Sequence, residues 1–240
     1  MRTSIVSSRR SLIALTGVVA VLAAAAVWAW YALQPVAAPQ SRYVEVAHGA
    51  YMLAKPDVIA DFDLIKHDDA PFGNRALKGR WSFLIFGYTF CPDFCPTTLV
   101  VFNEMHRLLA QQPGGGRDVQ FVMVSVDPER DTTTLLKAYV PQFNPEFIGV
   151  TGKAAAIARL ADSLGAVYEK HPGSTDATYL MDHSSAVHLI DPQGRLHGVF
   201  APQHVAADIV KAFQKMREQV AATARTQPLP DPATLKLSAR

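Results

Sequence analysis

The chain has 240 residues, 49% of them hydrophobic and 18% charged, which allows one ordinary domain with extensions or two very small domains. The formal net charge is +2 and three arginines precede the first apolar run. The rest is therefore nearly neutral, and its charge gives no reason to expect binding to nucleic acid. Two cysteines are too few for the disulfide framework of a small secreted protein, and a close pair instead indicates a redox or metal site.

An uncharged stretch near the N-terminus predicts a membrane anchor. Residues 11–41 contain no Lys, Arg, Asp or Glu. The apolar residues 12–33 are long enough to cross a hydrocarbon layer of about 30 Å at about 1.5 Å per residue. Arginines precede this stretch and aromatic residues lie near its end, which predicts a cytoplasmic N-terminus at 1–10 and a single span at 11–33. The expected location is the cell inner membrane, with the C-terminal domain facing the periplasm.

A cleaved signal peptide is the alternative for this stretch. Its apolar part would usually be only about 7–15 residues long. The best small-residue cleavage site, at 36–38, is followed by Pro39, which we expect to hinder processing. Residues 8–12 (SRRSL) also resemble a twin-arginine export signal. Each of these interpretations exports the domain.

Two segments containing proline bound the predicted domain. Residues 34–42 carry prolines among small and polar residues, which is typical of a linker beside a membrane. Residues 224–240 contain three prolines and no periodic apolar positions, which predicts a disordered tail. The folded domain is expected at 43–223.

Apolar runs alternate with helical patterns inside this domain. Strands are predicted at 81–88, 121–126, 147–150, 185–190 and 195–200. Helices are predicted at 96–110, 132–140, 153–164 and 205–220. This order predicts an α/β fold with a mixed sheet flanked by helices. It is the order of the thioredoxin fold, with an extra N-terminal segment and an insertion around 132–150.

Both cysteines lie where the first central strand meets its helix, in residues 91–96 (CPDFCP). Pro96 suits the first helical turn, so Cys95 is expected at the helix N-terminus, where unpaired N–H groups lower a thiol pKa. The three intervening residues depart from the two found in disulfide oxidoreductases. Cys91 and Cys95 can still form a disulfide, and both sulfurs can converge on one soft metal ion.

A third ligand is expected, because two sulfurs alone do not complete such a site. Among the eight histidines we favour His183, which directly precedes the hairpin strand. In the thioredoxin fold this loop faces the cysteine-bearing helix start, and the end of a strand is a rigid position for an imidazole ligand. Asp182 is the candidate to orient the His183 ring through a hydrogen bond. Asp127 and Asp131 are interpreted as turn and helix-cap residues.

Three motifs resemble one known family. Residues 87–99 (GYTFCPDFCPTTL) closely resemble the copper-site motif of the Sco/SenC proteins, which are assembly factors for cytochrome c oxidase. Residues 125–132 (SVDPERDT) are similar to the family's second signature. The segment DHS at 182–184, followed by LIDPQG at 189–194, is similar to the family's third signature. The resemblance covers residues 44–222 and excludes the C-terminal tail.

This resemblance implies a metallochaperone rather than an enzyme. It implies that Cys91, Cys95 and His183 bind one copper ion, as Cu(I) or Cu(II), for the CuA centre of cytochrome c oxidase subunit II. An upstream copper donor and a thiol reductant are the other expected partners. One alternative is a thiol-disulfide reductase acting on the cysteines of subunit II. A redox or copper sensor is another, and a peroxidase is less favoured because no Arg stands beside the cysteine motif.

Overall fold

A computed structural model of the chain describes residues 24–25, 27–30, 42–171 and 178–226. The chain separates into two units, Met1–Gln40 and Ser41–Arg240. In the first unit the described residues are helical. The remainder of the predicted anchor at 11–33, the predicted N-terminus at 1–10, residues 34–41 of the linker and residues 227–240 of the tail lie outside the described residues. None of the helices within the described part is both long enough and apolar enough to cross a membrane.

The second unit is built around one mixed sheet. Its described strands are β1 (Tyr43–Ala47), β2 (Ala50–Val58), β3 (Asp63–Lys66), β4 (Pro71–Gly73), β5 (Trp81–Gly87), β6 (Val119–Ser125), β7 (Ile148–Thr151), β8 (Tyr168–Lys170), β9 (Met181–His183), β10 (Val187–Ile190) and β11 (Arg195–Phe200). Nine of these described strands form the sheet in the order β1-β2-β11-β10-β5-β6-β7-β3-β4. The central strands β5, β6 and β7 are parallel, and the other pairings are antiparallel. β8 and β9 form a separate two-stranded ribbon.

Helices cover both faces of this sheet. They are α1 (Phe94–Ala110), α2 (Thr133–Tyr139), α3 (Ala154–Leu164) and α4 (Ala206–Thr226). Phe102 of α1 and Phe213 of α4 pack with Phe83 of β5 on one face, and α2 adds Leu136 to the same cluster. Leu160 of α3 packs on the other face, in the cluster that holds Leu84 and Phe86 of β5. β5 is therefore buried at every position, which explains its continuous apolar sequence.

The predicted mixed sheet flanked by helices is confirmed, and the predicted elements differ from the observed ones mainly at their ends. α1 begins at Phe94, two residues before the predicted start, and α4 continues to Thr226. α3 ends as expected at Gly165, whose φ of +69° lies in the left-handed region that glycine adopts without strain. The sequence patterns did not predict β1–β4 or the ribbon β8–β9. These strands are mostly short and partly exposed, so their hydrophobic pattern is weak.

Candidate metal centre

The three predicted ligands meet at the carboxyl end of β5. Cys91 lies in the loop between β5 and α1, Cys95 is the second residue of α1, and His183 is the last residue of β9. Their sulfur and nitrogen ligand atoms all lie within 4.8 Å of one another. Among the residues the structure describes, they form the one cluster of three or more His, Cys, Asp or Glu side chains that could hold a metal ion.

The Cys95 side chain is fully buried against the last residue of β5. Its exposed fraction is 0%, whereas Cys91 is partly exposed. A Cβ atom placed on Gly87 would lie only 2.8 Å from Cys95 Sγ, closer than such contacts allow. The glycine therefore makes room for the sulfur, and β5 and α1 together fix the position of Cys95.

The two thiols differ in pKa. A hydrogen bond from the Cys95 thiol is the main cause that lowers the pKa of Cys91 to about 3. The Cys95 backbone N–H also donates to Cys91 Sγ, at 3.4 Å. The same thiol pairing and burial raise the pKa of Cys95. In the metal-free protein Cys91 is thus the thiolate and Cys95 keeps its proton. The prediction that the helix N-terminus lowers the pKa of Cys95 is wrong, because this thiol is desolvated and lies beside the Cys91 thiolate.

The ring of His183 presents its Nε2 atom to the cysteines. Its Nδ1 atom lies 3.2 Å from the carbonyl oxygen of Ser184. A carbonyl only accepts, so Nδ1 carries the hydrogen and Nε2 has a free lone pair. Nε2 lies 3.3 Å from Cys95 Sγ. The rings of Tyr88 and Phe94 contact the imidazole with centroid separations of 5.9 and 6.2 Å. The imidazole is therefore held in an orientation suited to metal binding.

Asp182 does not occupy the position predicted for it. Successive side chains of a strand point to opposite sides, so Asp182 on β9 faces away from His183. Its carboxylate instead contacts His171 Nε2, and its side chain is exposed. The His183 ring is instead oriented by the hydrogen bond that its Nδ1 donates to the Ser184 carbonyl oxygen.

Asp131 is a buried acceptor rather than the helix cap predicted from the sequence. Its carboxylate accepts hydrogen bonds from Thr89 N at 3.0 Å, Thr89 Oγ1 at 2.5 Å and Ser125 Oγ at 2.6 Å. The cap of α2 is Thr132, whose side chain accepts from Leu135 N. Asp131 therefore ties the loop that carries Cys91 to the end of β6. Sequence reasoning missed this role because Thr89 is 42 residues from Asp131, although the resemblance of residues 125–132 to a family signature was a signal for it.

The remaining seven histidines lie outside the cluster. His188 and His197 are buried in the domain, with 2% and 5% of their surface exposed. His106 pairs with Glu146 at 3.4 Å. His67 Nδ1 accepts a hydrogen bond from the backbone N–H of Gly149. The structure thus brings together the three side chains that the sequence favoured.

Fold and site together define a class of protein: a thioredoxin-like domain in which two cysteines and one histidine converge in a site suited to a soft metal ion. The family model described as SCO1/SenC matches residues 50–218. The chain belongs to this family.

Relatives and solved structures agree with that assignment. A protein of Stutzerimonas stutzeri is 36% identical over 171 residues, a match that covers 70% of this chain and 79% of that protein. The mitochondrial SCO2 homolog of Bos taurus is 34% identical over 65% of this chain, and the match spans only 58% of the bovine protein.

The crystal structure of Arabidopsis thaliana ScoI with copper bound superposes with a TM-score of 0.63 at 33% identity, covering 68% of this chain and 99% of that chain. The thioredoxin-like fold predicted for the domain is thereby confirmed.

Proposed function

We propose that this protein is a membrane-anchored copper metallochaperone, not an enzyme, that helps assemble the CuA centre of cytochrome c oxidase. In this proposal Cys91, Cys95 and His183 bind one copper ion and pass it to oxidase subunit II. An N-terminal single span holds the domain on the periplasmic side of the cell inner membrane. The observation that carries the proposal is the convergence of the three ligand atoms within 4.8 Å, in a chain whose relatives include copper-bound Sco structures.

The donor set supports copper as the cargo. Two sulfurs and one imidazole nitrogen are soft to intermediate donors, which suit Cu(I) and are compatible with Cu(II). Thiolates add negative charge to the site, whereas the neutral His183 ring adds a donor without adding charge. The partial exposure of Cys91 leaves one edge of the site open, as transfer of an ion to another protein requires.

The proposed cycle follows from the positions of the protons. Copper binding displaces the proton of Cys95, so that both sulfurs bind as thiolates. The ion received from an upstream donor then leaves by ligand exchange with the acceptor. If an external oxidant acts on the emptied pair, the Cys91 thiolate and the Cys95 thiol form the Cys91–Cys95 disulfide with loss of one proton and two electrons. A thiol reductant returns both in the next cycle.

One observation also favours an accessory thiol-disulfide reductase activity. Cys91 combines partial exposure with a lowered pKa, and the buried Cys95 thiol lies beside it. In this reaction the Cys91 thiolate attacks a disulfide of subunit II, and one sulfur of that disulfide leaves as a thiolate. The Cys95 thiolate, after losing its proton, then attacks the mixed disulfide and releases the second sulfur.

Loss of His183 tests the metallochaperone proposal. The full chain, purified under reducing conditions, should bind one copper ion per molecule. We expect His183→Ala to fold and to weaken copper binding by more than the roughly 10–100-fold that follows loss of a hydrogen-bond partner of a ligand. The effect should be largest for Cu(II), which two thiolates alone tend to reduce. Competition titration against copper chelators measures both affinities.

His106→Ala is the control, because His106 is partly exposed and lies outside the cluster. Its ring also contacts Phe121 and Phe147, so the stability of this variant is measured alongside its copper affinity. His188→Ala is a poor control, since His188 is buried beside Phe86 and its loss would perturb the core. If His183→Ala binds Cu(I) and Cu(II) as tightly as the parent, His183 is not a ligand. Failure of the parent chain itself to bind copper would overturn the proposed function.

A further inference from the structure

The ribbon that carries His183 is separate from the main sheet. Within the described residues, β9 pairs only with β8 and neither strand joins the nine-stranded sheet. A two-stranded ribbon is marginally stable by itself in water. The strand end that carries His183 therefore belongs to this ribbon and not to the main sheet. His183 stands four residues before β10, so contacts between the ribbon and the rest of the domain help to set its distance from the cysteines.

Arg130 supplies such contacts from the loop between β6 and α2. Its guanidinium carbon lies 3.7 Å from the centre of the Tyr179 ring, and its Nη1 donates to the Tyr179 carbonyl oxygen at 3.1 Å. Tyr179 stands four residues before His183. The same guanidinium lies 4.7 Å from the ring of Phe90, which directly precedes Cys91. One side chain thus contacts both segments that carry the ligands.

Asp127 fixes this arginine in place. It is 2% exposed, and its Oδ2 accepts from Arg130 Nε at 2.5 Å. Its Oδ1 accepts from the Tyr179 hydroxyl at 2.6 Å. The Arg130 side chain is only 14% exposed, so solvent screens these contacts weakly. Tyr179 is held through its ring, its hydroxyl and its carbonyl oxygen. These contacts restrict movement of the segment that leads into β9.

We infer that Arg130 is a positioning residue of the metal centre: it joins the Cys91 loop to the Tyr179 segment and so holds His183 at binding distance from the two sulfurs. This inference rests on the proposed function only for its copper readout. The restraint of the ribbon by Arg130 can be tested in the metal-free protein, whether or not the chain binds copper.

Arg130→Lys tests the inference with little risk to the fold. Lysine keeps the positive charge beside buried Asp127, but it cannot donate to the Tyr179 carbonyl in the same planar geometry while covering the ring. Arg107→Lys is the matched control, since Arg107 is exposed on α1 and pairs only with Glu104.

Amide hydrogen exchange of the metal-free full chain is the first measurement. Arg130→Lys should speed exchange of residues 178–184 by about tenfold, as expected when one net contact is lost, and leave the central strands unchanged. In the second measurement, copper affinity should fall about 10–100-fold. The nitrogen hyperfine signal in the Cu(II) spectrum should weaken, while the Cys91–Cys95 disulfide still forms. Arg107→Lys should alter none of these.

Tyr179→Phe provides an independent variant, because it removes only the hydroxyl, which donates to Asp127 and lies 3.4 Å from Glu129 Oε2, and keeps the ring under Arg130. It should change exchange of the ribbon in the same direction by a smaller factor, and it decides the question if Arg130→Lys does not fold. Unchanged ribbon exchange in the folded variants would overturn the inference. A uniform increase over the whole domain would also overturn it, since that is the result of general destabilisation. If the parent binds no copper, the proposed function fails, and ribbon exchange still decides the role of Arg130.

Discussion

At the scale of single residues, the two cysteines differ more than their short separation suggests. Cys91 is partly exposed and its pKa is lowered, first by the hydrogen bond from Cys95. Cys95 is fully buried and its pKa is raised. An incoming reagent or partner protein therefore meets the thiolate of Cys91 first.

We predict that Cys91 is alkylated before Cys95 in the reduced, metal-free chain. The rate at Cys91 should change little between pH 8 and pH 6, because its lowered pKa keeps it ionised throughout this range. An ordinary thiol with a pKa of about 8.5 would slow by about 80-fold over the same range. Peptide mapping by mass spectrometry after brief iodoacetamide treatment measures both rates.

Cys95→Ala is the control for this prediction. It removes the hydrogen bond that most lowers the pKa of Cys91, so the rate at Cys91 should acquire a steeper dependence on pH. Faster labelling of Cys95 in the parent, or an ordinary pH dependence at Cys91, would contradict the assignment of the proton to Cys95.

The small size of Gly87 leaves room for the buried sulfur of Cys95. We predict that Gly87→Ala destabilises the domain by about 1–3 kcal/mol, because its methyl group would collide with the buried sulfur of Cys95. In a Cys95→Ala background the collision is absent and the cost should fall by about 1 kcal/mol or more. Urea unfolding of the parent, Gly87→Ala, Cys95→Ala and the double variant completes the double-mutant cycle. Equal costs in both backgrounds would mean that the sulfur is not the limiting contact.

At the scale of elements, hydrogen bonds to a residue far along the chain hold the loop that carries Cys91 in place. Asp131, between β6 and α2, accepts three hydrogen bonds from Thr89 and Ser125. Thr89 lies two residues before Cys91, so the carboxylate acts on the metal centre through the backbone of this loop. Burial raises the pKa of Asp131, and the three bonds partly offset that effect.

We predict that Asp131→Ala lowers the free energy of unfolding by about 1–3 kcal/mol, because buried donors at Thr89 and Ser125 lose their acceptor. Asp131→Asn should cost less, since its amide oxygen still accepts and the Thr89 hydroxyl can rotate. The raised pKa of Asp131 means that the parent loses stability relative to Asp131→Asn as the pH rises from about 4. Urea midpoints measured across pH 4–7 check both statements. An Asn variant as unstable as the Ala variant would contradict this account of the bonds.

At the scale of the whole molecule, the membrane anchor stays a prediction. The uncharged residues 11–41 predict a span, and the structure describes only 24–25 and 27–30 of the predicted anchor, which are helical. A reporter fused after Thr226 should be active only outside the cytoplasm, and the full chain should remain in the membrane fraction after a carbonate wash. Recovery of a soluble form that starts near Pro39 would contradict the anchor and support a cleaved signal.

Much of the domain and of the site could be predicted from the sequence because the signals are local. The continuous apolar run of β5 requires burial on both faces, and Pro96 in the first turn of α1 places the cysteines at the end of that strand. The spacing of Cys91 and Cys95 selects a soft metal or a disulfide without reference to the rest of the fold. His183 was predicted from its position before the hairpin strand β10, a feature of chain order.

Tertiary structure alone decided how these residues are protonated, oriented and supported. The proton lies on Cys95 because this thiol pairs with Cys91 and because α1 buries it against Gly87 and β5. Burial depends on residues distant in sequence. Asp182 turns toward His171 because β9 forms a ribbon with β8, a pairing that short, half-exposed strands do not predict. Arg130 contacts a tyrosine 49 residues away. Periodicity and propensity describe neighbours along the chain, whereas desolvation and side-chain contacts exist only once distant segments have packed.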